Sequence, residues 1–192
     1  GLKDEIARLM REEKVWVVRL EVIKAAGALK MKDLTPDLKA IVQSEKATYE
    51  ERQFAIEALL NIYEDISLEE LSLLAKSNRA GMRHLACSIA GHFEIEGAKE
   101  EVIRLIQDPH PDVRVAAINA FGLVYREKVS RAEAIDALAG ALNDTNPVVA
   151  ITAAWASLLV DPGSGDDFFE KWLHNSFPEN RRLAAAALSA TG

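Results

Sequence analysis

Cysteine is almost missing from this chain. Cys87 stands alone, which excludes an internal disulfide and any multi-cysteine zinc or iron–sulfur site. Long apolar runs are missing too: none reaches the roughly 18 residues a membrane span requires, and the charged opening GLKDEIARLMREEK does not read as a secretory signal. Aromatic residues make up only 6% of the chain. Cations are outnumbered, with 23 Lys and Arg against 30 Asp and Glu and a formal charge of −7; neutralising phosphates needs clustered cations, so a general nucleic-acid binder is not expected. No alternating period-2 run bounded by hairpin turns occurs, so no strand is expected. What is present is 49% hydrophobic and 28% charged residues, enough apolar material for a packed body. The expected setting is reducing and cytoplasmic.

The chain repeats itself. The segment PDVRVAAINAFG (Pro111 to Gly122) aligns with five others when each copy is anchored on Arg19, Arg52, Arg83, Arg114, Ala150 and Arg181, at separations of 33, 31, 31, 36 and 31 residues. Three residues past the anchor stand Val22, Ala55, Ala86, Ala117, Ala153 and Ala184; six past it stand Ala25, Ala58, Ile89, Ala120, Ala156 and Ala187. Small residues therefore recur where helices must approach closely. Offsets −1, +3, +4, +6 and +7 share one side of a 3.6-residue helix, so one amphipathic helix is used six times. Gly27, Gly91 and Gly122 fall late in these helices and read as punctuation.

Cap chemistry marks a second helix in each unit. Ser67-Leu-Glu-Glu70, Ser130-Arg-Ala-Glu133 and Thr48-Tyr-Glu-Glu51 fit the capping box. Thr35-Pro36, Asn146-Pro147 and Ser176-Phe-Pro178 also read as helix starts. The leading helices are expected near Leu2–Arg11, Pro36–Val42, Leu68–Lys76, Ala98–Gln107, Arg131–Leu142 and Asp166–His174. The fold class that follows is all-α, about six antiparallel helix pairs in a single domain over residues 1–192, each pair too small to bury its own apolar face.

The stretches LIQDPHPDVRVAAINAFG (Leu105 to Gly122) and LNDTNPVVAITAAWASLL (Leu142 to Leu159) resemble HEAT repeats of the short, bilin-lyase-like type, with Asp108, Pro111, Val113, Arg114, Ala117, Ala120 and Gly122 carrying the likeness. The likeness is recognisable in all six copies, with departures at Ala150 (for Arg), Glu51 and Asn180 (both for an apolar residue). It implies a right-handed α-α superhelix, a HEAT-repeat solenoid whose second helices line the concave face.

The anchor arginines are read as structural, because they lie roughly 50° from the centre of the apolar face at 100° per residue. Arg19, Arg52, Arg83, Arg114 and Arg181 are expected to form a ladder with carboxylates and helix-end carbonyls, with Asp108 and Asp144 as partners. Cys87 is read as a small core hydrophobe. Offsets +1, +5 and +9 are expected to face away from the core. Large apolar groups concentrate there in copies four and five, so a partner-binding groove is expected with Trp155, Ile151, Val115 and Leu123 as apolar contacts and His84, Glu57 and Asn119 as polar selectors. Packing of Trp155 over a neighbouring helix is the competing reading.

No catalytic set emerges. His84, Cys87 and His92 lack further ligands or an orienting group, and Gly163-Ser-Gly165 belongs to an inter-helix turn. The expected function is a non-catalytic scaffold for a protein partner, with no metal, cofactor, nucleic acid or membrane. Two alternatives accompany it: bilin-lyase-like chromophore handling, and a HEAT-like protein acting on alkylated DNA. The apolar stretch Ala184–Ala190 suggests that further repeats follow in a longer array, and dimerisation through an exposed terminal repeat is expected.

Overall fold

A computed structural model describes residues 1–191. Twelve α-helices follow one another with no strand among the described residues: α1 (Leu2–Glu12), α2 (Trp16–Ala28), α3 (Thr35–Gln43), α4 (Tyr49–Ile62), α5 (Leu68–Ala75), α6 (Ala80–His92), α7 (Lys99–Leu105), α8 (Pro111–Ala120), α9 (Arg131–Leu142), α10 (Pro147–Val160), α11 (Asp166–Leu173) and α12 (Pro178–Ser189). The chain is thus all-α and built from six helix pairs, as the periodicity predicts. It forms two compact units, residues 1–89 and 90–192.

Within the first unit, α2 packs on α4, α1 on α2 and α3 on α4; within the second, α8 packs on α10 and α10 on α12, while α7, α9 and α11 lie against the second helices of their own pairs. The second helices α2, α4, α8, α10 and α12 therefore carry lateral contacts, as expected of a helical repeat.

The repeated columns explain that packing. At offset +3, Val22, Ala55, Ala86, Ala117, Ala153 and Ala184 are all buried, and at +4 so are Ile23, Ile56, Cys87, Ile118 and Ala154. Glycine at offset +8 meets a small residue at +6 of the next copy. A Cβ built on Gly27 would stand 2.6 Å from the Ala58 Cα, one on Gly91 3.2 Å from the Ala120 Cβ, and one on Gly122 3.2 Å from the Ala156 Cβ. These glycines, which fall late in their helices as the sequence places them, allow backbones to touch. α8 runs on past Gly122 through a π-helical turn, Phe121–Tyr125, and a short 3-10 turn, Arg126–Lys128.

Most expected caps form. Thr48 and Ser130 make complete capping boxes with Glu51 and Glu133, and the Asn146 side chain accepts the amides of Val148 and Val149. Ser67 accepts the Glu70 amide. Thr35 does not cap: a 3-10 turn at Lys32–Leu34 feeds directly into α3, so Thr35 is already helical and Leu34 occupies the cap. Nor does Ser176 cap α12. Asn175 accepts the Phe177 amide instead.

Candidate interaction surface

The anchor arginines act on the turn that precedes their own helix. In four copies one terminal guanidinium nitrogen, Nη1, donates to the carbonyl six residues back: Arg19 to Glu13 at 3.2 Å, Arg83 to Ser77 at 2.9 Å, Arg114 to Asp108 at 2.8 Å and Arg181 to Asn175 at 2.7 Å. Arg52 reaches Ala47, five back, at 2.6 Å. The side chain at that sixth position folds over the same turn, accepting the amide two residues on: Glu13 from Val15, Ser77 from Arg79, Asp108 from His110, Asp144 from Asn146 and Asn175 from Phe177. The turns before α2, α6, α8 and α12 are thereby closed from both sides, which satisfies orphan groups at a helix end.

Arg114 and Arg19 also reach forward into the next copy. The Arg114 Nε lies 2.7 Å from Asp144, with Nη2 donating to the same carboxylate at 2.9 Å. Arg19 bonds Glu51 at 2.7 Å through Nε. The ladder expected at Asp144 is present; Glu51, a departure from the repeat by sequence, is its substitute rung. Burial raises the Glu51 carboxyl, but the Arg19 guanidinium and the Thr48 amide outweigh this and hold it below its ordinary value. Asp108 is buried, and its backbone carbonyl serves Arg114.

With the arginines assigned to turns, the remaining candidates separate by column. In the second unit, Asn119 and Leu123 are exposed, Leu123 at 64%, while Val115 and Trp155 are half-buried. Ile151 does not lie on this face. It is 3% exposed and belongs to a core cluster with Ala150, Ala154, Phe169, Trp172 and Ala184. Leu20, also at offset +1, is buried as well, whereas Gln53, His84 and Val115 at that offset are half-buried and Arg182 is exposed; the +1 column borders the packed side, and +5 and +9 are the more outward ones. Trp155 packs beside that cluster, and its ring edge would lie 2.9 Å from a Cβ on Gly122. Its Nε1 is buried without a hydrogen-bond partner. Trp155 therefore spends most of its surface covering a neighbouring helix, and Leu123 is the larger exposed apolar group there. Around it, Arg126 donates to the carbonyls of Gly122 and Leu123, and the Tyr125 hydroxyl donates to Ile95 at 2.6 Å and Ala90 at 3.1 Å. The π turn is thus pinned on both flanks.

In the first unit, Glu57 is exposed and His84 half-buried. A patch that the column reading misses also lies there. Val15, Trp16, Val17 and Val18 are four consecutive exposed apolar residues at the start of α2, and Tyr49 on α4 is exposed as well. The Trp16 indole donates to the Thr48 hydroxyl at 3.3 Å, which fixes the ring at the head of α4. The signal in the sequence is the run itself, since a soluble helix seldom starts with four exposed apolar side chains.

Cys87 is buried in the core. No helix among the described residues is long and apolar enough to cross a membrane.

Residues 68–158 match the family model described as HEAT repeats. No curated protein matches the chain. That match spans stretches in which the recurrent Arg, the small-residue columns and the capped turns are clear, so residues 68–158 are HEAT-like repeats, and helix pairs of the same sequence pattern precede and follow them.

Proposed function

We propose that the chain is a non-catalytic scaffold that binds a partner polypeptide through the outward row of its second helices, which in HEAT arrays line the concave face. HEAT repeats commonly mediate protein–protein interaction. The observation that carries the reading here is Leu123, 64% exposed on a π turn whose carbonyls and neighbours are held in place. A rigid support beneath an exposed apolar side chain lowers the ordering cost of binding. Asn119, one turn earlier on the same face, supplies a donor and an acceptor, and half-buried Val115 and Trp155 border it. Glu57 and His84 are assigned to polar selection within their own unit. Cys87, the single cysteine, is buried in the core, and the reading assigns it no chemical role.

The experiment is affinity capture with the intact chain and with Leu123→Glu and Asn119→Ala in parallel, alongside thermal melts. Loss of a specific protein from both variant captures, with melts unchanged, supports the assignment. An identical set of captured proteins with the two folded variants overturns it.

A further inference from the structure

Six residues before the anchor, copies four and five carry Asp108 and Asp144, and copy three carries Ser77. The turns at Ser77 and Asp108 are built alike. The backbone carbonyl accepts Nη1 of its own anchor, from Arg83 at 2.9 Å and from Arg114 at 2.8 Å, and the side chain accepts the amide two residues on, that of Arg79 at 3.2 Å and that of His110 at 2.9 Å. Asp144 accepts the Asn146 amide at 2.8 Å in the same way and also takes Nε and Nη2 of Arg114, the anchor of the preceding copy. One carboxylate at this position thus closes its own turn and ties two helix pairs together.

The anchor that precedes Ser77 is Arg52, in the same compact unit. Arg52 is half-buried, and its Nη1 donates to the Ala47 carbonyl at 2.6 Å, as Nη1 of Arg114 donates to that of Asp108. No carboxylate among the described residues is paired with it. Nε and Nη2, the two nitrogens with which Arg114 grips Asp144, therefore hold no counter-charge in Arg52. The Ser77 hydroxyl is neutral and cannot supply one. A phosphate on it can, since it carries close to two negative charges and three acceptor oxygens: enough to keep the Arg79 amide and to meet a guanidinium through two parallel bonds. The turn is also open to an enzyme. Lys76, Asn78 and Arg79 around Ser77 are exposed, and cations on both sides of a serine form a charge pattern that an acidic kinase groove selects.

We propose that Ser77 is a phosphorylation site whose phosphate supplies the missing rung, gripped by Nε and Nη2 of Arg52, so that modification fastens the α5–α6 pair to the α3–α4 pair. The Ser77 hydroxyl oxygen bonds the γ-phosphorus of a nucleoside triphosphate held by a protein kinase; the bond from that phosphorus to its bridging oxygen breaks, the nucleoside diphosphate leaves and the hydroxyl proton passes to the kinase's base. The inference is independent of the Leu123 surface.

The test has two arms. Peptide mass mapping of the protein isolated from its own cells, with phosphatases inhibited, should find phosphate on Ser77; an unmodified Ser77 overturns the proposal. Thermal melts then compare the whole chain as wild type, with phosphoserine installed at position 77 during translation, and as Ser77→Asp, which places there the residue that the chain itself uses at positions 108 and 144. Each change should raise the melting temperature by about 3 °C, and with Arg52→Gln the rise should shrink below about 1 °C. No rise, or an equal rise with Arg52→Gln, which would make it an effect of charge at the start of α6 alone, overturns the proposal. Should Arg52→Gln fail to fold, Arg52→Lys replaces it and should keep less than half of the gain, because an ammonium cannot serve the Ala47 carbonyl and the phosphate together; an undiminished gain overturns the proposal.

Discussion

Arg19 and Glu51 join two neighbouring helix pairs through a 2.7 Å ion pair, and the same carboxylate accepts the Thr48 amide at 2.8 Å. One side chain therefore both starts α4 and ties it to α2. Glu51→Gln keeps the shape but removes the charge from a nearly buried site, and should cost about 2 kcal/mol of stability at neutral pH. The folded carboxyl sits below its ordinary 4.5, so its contribution is complete above that value and is lost as pH falls through the lower, folded one. Denaturant melts across pH should show the penalty of the variant shrinking in acid. A penalty constant with pH would mean that the charge is not what matters.

The arginine ladder predicts unequal costs at equivalent positions. Arg114 holds two carbonyls behind it and a carboxylate ahead of it, whereas Arg52 reaches the Ala47 carbonyl. Arg114→Ala should cost about 3 kcal/mol and Arg52→Ala about 1 kcal/mol. Arg114→Lys should recover little, since an ammonium cannot serve both directions at once. Chemical denaturation of the three variants measures the order directly.

The columns that set the fold are legible because burial at +3 and +4 repeats with the sequence: Ala55, Ala86, Ala117 and Ala153 answer the same packing need from copy to copy. Local cap chemistry is legible for the same reason, at Thr48, Ser130 and Asn146. Exposure is harder to read, because it depends on the neighbouring copy. Ile151 and Leu20 sit at an offset that one helical wheel turns outward, yet the lateral packing of second helices buries them. Glu51 looks like a broken apolar column because its partner, Arg19, is 32 residues away. Trp16 lies outside the pattern because it precedes the aligned columns. The π turn at Phe121–Tyr125 has no signature in a pattern written for 3.6 residues per turn.

Close approach at Gly27 makes a sharper prediction than its place late in α2. A Cβ there would stand 2.6 Å from a backbone atom, the Cα of Ala58, and 2.8 Å from its Cβ. Neither is the tip of a flexible side chain, so Gly27→Ala must push α2 from α4 and should cost about 2 kcal/mol despite the better helix propensity of alanine. Gly163 has nothing within 4 Å of the same construction, and Gly163→Ala should leave the melting temperature unchanged or slightly raised. Equal effects at the two sites would refute the close-packing account.

Lys30 and Glu94 have positive φ, 48° and 50°, each just past a second helix. Both close the helix in the same way: the Met31 amide returns to the Ala26 carbonyl and the Ile95 amide to that of Ala90. This closure wants a left-handed residue, which glycine adopts without the steric cost of a Cβ. For an ordinary L-residue that cost is about 1 kcal/mol, partly offset by the larger entropy glycine loses on folding. Glu94→Gly and Lys30→Gly should therefore each raise stability by about 0.5 kcal/mol. Glu96→Gly, two residues on in a 3-10 turn where φ is not positive, should lower it. Thermal melts of the three variants, with Glu94→Gly falling instead of rising, would show that the Glu94 side chain contributes more to the turn than its backbone strain costs.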